Sequence, residues 1–68
     1  RTADTWYLRG ELARHRDELT AAVDAWQQAL KIDPTHGEAQ FGLGRVLAQR
    51  GQHEQAMEWL GRYVAAHP

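Results

Sequence analysis

The chain repeats itself with an offset of 34 residues, and this periodicity restricts its possible folds more than any single motif does. Many residues n and n + 34 are identical or chemically similar. The identical pairs are Gly10 and Gly44, Arg16 and Arg50, Ala22 and Ala56, and Pro34 and Pro68, and the similar pairs are Tyr7 and Phe41, Leu12 and Val46, Asp24 and Glu58, and Leu30 and Val64. Apolar positions and breaks coincide in the two halves. The sequence therefore predicts two copies of one structural unit.

Each unit is predicted to be a helix, a turn and a second helix. Between residues 17 and 34, apolar side chains recur every three or four positions, which places them on one side of an α-helix. They are Leu19, Ala22, Val23, Trp26, Ala29 and Leu30. No segment alternates polar and apolar residues, so strands are not expected. The prediction is an all-α chain of four helices.

Local signals predict where the first two helices begin and end. Thr2 is the expected N-cap of a helix over residues 3–16, because its hydroxyl can accept a free backbone N–H. Trp6, Gly10 and Ala13 are expected on the inner face of this helix, with Leu8 and Leu12 beside them. Asp17 is the expected N-cap of the second helix, residues 18–32, and Pro34 is expected to end it.

The second half carries similar signals. Thr35 and Glu38 have the spacing of a capping box, which predicts that the third helix starts near His36. Gly51 can take the left-handed conformation that closes a helix. The fourth helix is expected over residues 52–66, with Pro68 just beyond it. Trp6 and Trp26 are expected to be core residues.

Composition narrows the class of function. With 68 residues the chain is one small domain, and a net charge of −1 gives no basic surface for nucleic acid. The apolar runs are far shorter than the roughly 20 residues that span a membrane. The absence of cysteine is consistent with a reducing compartment, so we expect a cytoplasmic location. The first residue is Arg1 rather than Met, so we expect the chain to be part of a longer protein.

These residues resemble the tetratricopeptide repeat (TPR) family. Residues 3–36 form the first unit, and they carry residues that this family favours at Trp6, Gly10, Ala22, Trp26, Ala29 and Pro34. The corresponding residues of the second unit, 37–68, are Leu43, Gly44, Gly51, Ala56, Leu60 and Pro68. The sequence departs from the family pattern at Arg9, Ala13, Asp17 and Tyr63, where the family usually has Leu, Tyr, Gly and Ala.

The resemblance implies a right-handed superhelical solenoid of two antiparallel helical hairpins, in which the first helix of each pair lines a concave groove. It also implies that the groove binds a peptide or helix of a partner protein. The groove residues implied in this way are Tyr7, Glu11, Arg14, His15, Phe41, Arg45 and Gln49, with Asp4, Glu38 and Ala48 beside them. Tyr7 and Phe41 would grip apolar side chains, and Arg14 and Arg45 would donate to carboxylates or carbonyls. Alternatively, Tyr7 and Phe41 pack on each other.

One subclass of the family binds the C-terminal carboxylate of chaperones through Lys and Asn side chains. The corresponding positions here hold Tyr7, Glu11 and Gly42. Because Glu11 would repel a carboxylate and Gly42 has no side chain, we do not expect that activity.

Catalytic activity and cofactors are not expected. The chain has no Ser or Cys nucleophile, and its glycines are scattered rather than gathered into a phosphate-binding loop. Glu11 with His15, and His53 with Glu54, offer only two metal ligands each, whereas zinc takes three or four protein ligands. We therefore expect neither a metal site nor an enzyme.

A second function is open on the sequence. The last helix presents an apolar face with no following helix to cover it, formed by Met57, Trp59, Leu60, Tyr63 and Val64. Two copies could pair through this face by a closed two-fold contact, which would make the chain a structural homo-oligomerisation module. A third alternative is a regulatory appendage of an enzyme. The main expectation is a protein-interaction module.

Overall fold

The computed structural model describes residues 2–66, and over that range the chain forms four α-helices and no strand. Helix α1 spans Ala3–His15, α2 Leu19–Ile32, α3 Gly37–Gln49 and α4 His53–Ala66. Each helix packs chiefly against the next, so α1 with α2 and α3 with α4 make two hairpins joined through α2 and α3. The predicted all-α architecture of paired helices is confirmed. The predicted role of Pro68 lies outside the described residues.

The core of the molecule is built around Trp26. Its side chain is fully buried, and its indole Nε1–H donates to the backbone carbonyl of Tyr7 at 3.2 Å, which joins α2 to α1. The ring fits because α1 has no side chain at Gly10, where a Cβ would lie only 2.3 Å from Trp26 Nε1. The second hairpin uses the same arrangement, since a Cβ on Gly44 would lie 2.7 Å from the side chain of Leu60.

The inner face of α1 is narrower than the sequence suggests. Gly10 and Ala13 are buried, and Trp6 is half-buried and packs against the core. Leu8 and Leu12 do not lie against the inner face but are exposed. The core side of α1 therefore consists mainly of small residues.

The two capping predictions for the first hairpin have opposite outcomes. Thr2 caps α1 as predicted, with its hydroxyl accepting the N–H of Thr5 at 3.2 Å. The prediction that Asp17 caps α2 is wrong: Glu18 is the N-cap residue, and its side chain makes no capping hydrogen bond.

Asp17 instead closes α1. It has a φ of 61°, in the left-handed region, and the backbone N–H of Glu18 donates to the carbonyl of Ala13 at 2.8 Å. The second hairpin closes α3 in the same way, with Gly51 at φ 81° and the N–H of Gln52 donating to Leu47 at 2.9 Å. Both turns are the Schellman motif that commonly ends helices. The predicted left-handed stop at Gly51 is thus confirmed.

The predicted capping box at Thr35 and Glu38 is wrong as well. The N–H and hydroxyl of Thr35 both donate to the carboxylate of Asp33, at 3.1 and 2.7 Å, and these two hydrogen bonds lower the pKa of Asp33. With the Thr35 hydroxyl engaged, His36 is the N-cap of α3, and its Nδ1 accepts the N–H of Ala39 at 3.1 Å. The turn is therefore organised by Asp33 and His36.

His36 also connects the two hairpins. Its Nδ1 must be unprotonated to accept the N–H of Ala39, so the ring proton is on Nε2 and donates to Asp4 of α1 at 2.7 Å. Buried Gln40 donates its side-chain N–H to the carbonyl of Pro34 at 2.8 Å. These contacts fix the start of α3 against α1 and the end of α2, and they set the spacing of the two first helices.

Candidate partner-binding groove

A cavity of about 400 Å³ lies where the two first helices of the hairpins face the same side of the molecule. Helix α1 contributes Tyr7, Glu11 and Arg14, helix α3 contributes Glu38, Phe41, Gly42, Arg45, Val46 and Gln49, and the remaining walls are Asp17, Leu19 and Tyr63. Because both hairpins line this cavity, which we call the groove, its shape depends on their packing.

Three side chains of α1 form a connected network on one wall of the groove. They are spaced three or four residues apart, which places them on one face of the helix. Tyr7 donates its hydroxyl proton to Glu11 at 3.0 Å, and Arg14 Nη2 donates to the other oxygen of the same carboxylate at 2.9 Å. Both oxygens of Glu11 are therefore engaged, and Arg14 is already neutralised.

The network changes the acidity of two of its members. Partial burial, followed by the hydrogen bond to Glu11, raises the pKa of Tyr7 to about 12. Partial burial would also raise the pKa of Glu11, but the hydrogen bonds from Arg14 and Tyr7 outweigh it and hold that pKa below its ordinary value. At neutral pH this wall therefore carries a neutral phenol and an ionised carboxylate.

The ring of Tyr7 packs against two other aromatic rings. Its ring stacks against Trp26 with centroids 6.5 Å apart and lies 5.4 Å from the ring of His36. Phe41, by contrast, contacts Tyr63, with centroids 5.1 Å apart. The two groove aromatics thus have different ring partners, and the alternative that they stack on each other is not what the structure has. Tyr7 is therefore packed against both α2 and the start of α3.

Side chains on the α3 wall of the groove are more available to a ligand than those on the α1 wall. Phe41 is exposed, and the guanidinium carbon of Arg45 lies 5.5 Å from the centroid of its ring, one helical turn away. Arg45 makes no hydrogen bond or ion pair with any of residues 2–66. A cation stacked on an aromatic ring keeps its N–H groups free at the edge, where a ligand oxygen can accept them. Within the described part of the chain, Phe41 and Arg45 therefore offer an apolar surface beside a positive charge that has no ionic partner.

Comparison with known proteins identifies the fold. Residues 13–68 match the sequence pattern described as Tetratricopeptide repeat. The chain belongs to the TPR family. Cellulose synthase operon protein C of Komagataeibacter xylinus is 37% identical over 59 residues, which is 87% of this chain and 4% of that protein. The same-named protein of Xanthomonas axonopodis pv. citri is 33% identical over 63 residues, 93% of this chain and 4% of that protein.

A third relative is a protein kinase. Serine/threonine-protein kinase MEC1 of Eremothecium gossypii is 36% identical over 56 residues, which cover 82% of this chain and 2% of the kinase. The chain thus spans only a few per cent of the length of these relatives. The similarity concerns TPR repeats, which generally serve as protein-interaction modules, and it does not extend to the rest of those proteins.

The groove of this TPR chain contains six of the seven residues predicted to line it. Tyr7, Glu11, Arg14, Phe41, Arg45 and Gln49 all border the cavity. His15 does not border it and is exposed. Asp17, Leu19 and Val46 line the groove without having been predicted, because the family pattern assigns them to turns and to packing between helices. Val46 follows Gly42 by four residues on α3, and this spacing is the signal that could have indicated it. Asp17 and Leu19 lie in the turn after α1 and at the start of α2, where helical spacing gives no such signal.

The predicted self-association face divides into three parts in the structure. Met57 and Val64 are exposed, Trp59 packs against the core, and Leu60 lies against Gly44 inside its own hairpin. Tyr63 is half-buried and lines the groove beside Phe41. Only Met57 and Val64 of the predicted set are therefore largely uncovered.

Residues 2–66 contain no cluster of three or more His, Cys, Asp or Glu side chains placed to hold a metal ion. The Glu11 carboxylate is engaged by Tyr7 and Arg14, so the pair it forms with His15 offers little to a cation. None of the four helices in the described part of the chain is long and apolar enough to cross a membrane.

Proposed function

We propose that the chain binds an extended segment of a partner protein in the groove between α1 and α3. The observation that carries this proposal is the combination of an exposed Phe41 with a stacked Arg45 that forms no ion pair within residues 2–66, in a cavity bordered by both hairpins. An apolar side chain of the ligand packs on Phe41, and an acidic side chain or carbonyl next to it accepts from Arg45. The TPR fold supports a protein ligand.

The charge of the groove favours protein over nucleic acid as the ligand. Its lining includes the three carboxylate residues Glu11, Asp17 and Glu38 against the two arginines Arg14 and Arg45. A phosphate backbone would meet this excess of negative charge along its length, whereas a peptide needs only one acidic group placed at Arg45. The ligand class is thus a peptide with an isolated acidic residue beside an apolar one.

The proposal is tested by selecting peptides that bind the parent chain from a random peptide display library. The selected peptides are synthesised, and the Kd of each is measured by calorimetry. We expect the selected peptides to contain an apolar or aromatic residue next to an acidic one. Arg45→Gln should weaken their binding about 10-fold or more, because a hydrogen bond to a charged group contributes about 1.5–3 kcal/mol. Phe41→Ala should weaken it comparably.

The matched control is Arg62→Gln. Arg62 also stacks on an aromatic ring, with its guanidinium carbon 4.6 Å from the centroid of Trp59, but it lies outside the groove. This substitution should leave the Kd unchanged. The groove would be refuted as the binding site if no peptide could be selected. It would also be refuted if the selected peptides bound the Arg45→Gln variant as tightly as they bind the parent.

A further inference from the structure

The charged residues of the groove differ between its two ends. Helices α1 and α3 lie side by side with their starts together, because His36 at the start of α3 is bonded to Asp4 at the start of α1. Asp4 and Glu38 are equivalent residues of the two units, and each lies in the first turn of its helix. Arg14 and Arg45 lie further along the same two helices. The starts of the first helices are therefore acidic, and the arginines lie towards their ends.

Only part of this charge is available to a ligand. Glu11 and Arg14 neutralise each other, since Oε1 of the first and Nη2 of the second are 2.9 Å apart. Asp4 accepts from His36 and does not border the cavity. Glu38 does border it, is exposed, and makes no hydrogen bond or ion pair with any of residues 2–66. Glu38 is therefore the carboxylate that a ligand meets at the acidic end.

The charge of Glu38 also acts on the opposite wall of the groove. After partial burial of the ring and its interactions with Glu11, the negative charge of Glu38 contributes to raising the pKa of Tyr7 to about 12. Tyr7 belongs to α1, whereas Glu38 belongs to α3. The field of Glu38 thus extends across the space between the two walls, where a positively charged group of a ligand would be stabilised.

The groups available on α3 lie in a line. Glu38, Phe41 and Arg45 follow one another at spacings of three and four residues, which places them on one face of the helix. All three border the cavity and are exposed. The helix rises about 10 Å between Glu38 and Arg45, which is the length of about three residues of an extended peptide. In order, this line presents a negative charge, an apolar ring and a positive charge.

Asp17 is a further carboxylate of the groove, and it lies at the other end. It is exposed and borders the cavity, but it follows the end of α1, three residues beyond Arg14. A ligand cation at Asp17 would lie at the end that also carries Arg14 and Arg45, and both arginines would repel it. The acidic end at Glu38 has no such competing cation in the lining of the cavity. The charges of the groove therefore favour Glu38 as the site for a basic residue.

We propose that the segment bound in the groove is zwitterionic, with a basic residue at Glu38, an apolar residue on Phe41 and an acidic residue at Arg45. This inference rests on the proposed function, to which it adds the second charge and the order of the three contacts. The two charged residues of the segment are about three positions apart, with the apolar residue between them. Glu38 thereby determines specificity, because it repels segments that are acidic throughout.

An exchange of charges between the groove and the peptide tests the role of Glu38. Each peptide selected against the parent chain is compared with a second peptide in which Glu replaces the basic residue. Calorimetry gives the Kd of both peptides for the parent and for Glu38→Lys. The original peptide should bind Glu38→Lys about 5-fold more weakly than it binds the parent, and the second peptide should bind Glu38→Lys about 5-fold more tightly. A general loss of stability would not reverse the preference in this way.

Glu54→Lys is the matched control for this exchange. Glu54 is exposed and lies in the first turn of α4, as Glu38 does in α3, but it does not border the groove. Both substitutions change the net charge equally and remove a carboxylate that stabilises the start of a helix. Glu54→Lys should leave the Kd of both peptides unchanged. If Glu38→Lys loses its helical circular dichroism, Glu38→Gln replaces it and should abolish the preference between the two peptides.

Failure of this inference is distinguishable from failure of the groove. If the selected peptides depend on Phe41 and Arg45 but carry no basic residue, or if Glu38→Lys leaves their preference unchanged, the groove stands and the role of Glu38 is wrong. If Asp17→Asn, rather than Glu38→Lys, removes the preference for the basic residue, the order of the charges is wrong. If no peptide is selected, or if binding does not depend on Arg45, the groove is refuted and the role of Glu38 with it.

Discussion

At the scale of single residues, the two halves of the chain differ in the residue that closes their first helix, which is Asp17 in one and Gly51 in the other. Asp17 and Gly51 close α1 and α3 with the same left-handed geometry and the same backbone hydrogen bonds. Glycine takes this conformation without a steric penalty, whereas an L-residue with a side chain is strained in it. Aspartate tolerates it better than most residues, which explains how it serves there at all.

Asp17→Gly should therefore stabilise the chain. The strain relieved, about 1–2 kcal/mol, exceeds the added entropy of glycine in the unfolded chain, about 0.5–1 kcal/mol, and leaves a gain of about 0.5–1 kcal/mol. The free energy of unfolding is measured by urea titration. The reciprocal control Gly51→Asp should destabilise the chain by a similar amount. Equal stability of all three proteins would show that the left-handed turn carries no strain.

The Glu11 network gives a pH-dependent prediction. Because the folded-state pKa of Glu11 lies below its unfolded value, its ionised form contributes stability above the unfolded pKa, and this contribution is lost as the pH falls through the folded pKa. The difference in free energy of unfolding between the parent and Glu11→Gln should thus be largest near neutral pH and shrink below about 4.

The hydrogen bond from Tyr7 is tested separately. Tyr7→Phe removes one of the bonds that lower the pKa of Glu11, so that pKa should rise toward its ordinary value of 4.5. The pKa of Glu11 is measured directly by following the chemical shift of its side-chain carboxyl carbon in an NMR titration. Phe41→Leu, which changes the opposite wall of the groove, is the control and should leave the titration unmoved. An unchanged pKa in Tyr7→Phe would mean that the hydroxyl does not bond to Glu11 in solution.

At the scale of helices, close approach of α1 to α2 depends on a missing side chain. A Cβ at Gly10 would lie 2.3 to 2.8 Å from three atoms of the Trp26 indole, and that ring is fully buried with nowhere to move. Gly10→Ala should therefore cost about 1–3 kcal/mol by overpacking, although alanine favours the helix.

Gly61→Ala is the matched control for this prediction. Gly61 lies inside α4, and a Cβ added there would meet no atom of another residue within 4 Å, so alanine should gain its helix propensity and stabilise the chain by about 0.5–1 kcal/mol. Thermal unfolding monitored by circular dichroism gives the change in stability caused by each of the two substitutions. Opposite signs are expected; a stabilising Gly10→Ala would mean that the helices are further apart than described.

Sequence patterns are least informative at the helix starts and in the last helix. The apolar spacing was enough to predict four helices, and Thr2 and Gly51 followed from standard capping chemistry. His36 was missed because histidine is an uncommon N-cap, and it caps α3 only because Asp33 engages the Thr35 hydroxyl. Tyr63 was placed on an outer face because the periodicity of α4 does not reveal that it meets Phe41. The first contact depends on a local hydrogen bond within the turn, and the second joins side chains of two different helices.

At the scale of the whole molecule, the groove is a joint product of the two hairpins. Its main walls are the first helices of the two hairpins, α1 and α3, and the packing of α2 against α3 sets how these walls lie relative to each other. A segment bound in the groove would therefore contact both hairpins at once.

Binding of a partner segment between α1 and α3 is best tested by mapping backbone amide chemical shifts of the parent chain while a selected peptide is added. We expect the largest changes along one face of α1 and α3, at Tyr7, Glu11, Phe41 and Arg45. The amides of Gln27 and Lys31 on α2 should change little. Changes concentrated on α2, or on Met57 and Val64 of α4, would rule out the groove as the place where the segment lies.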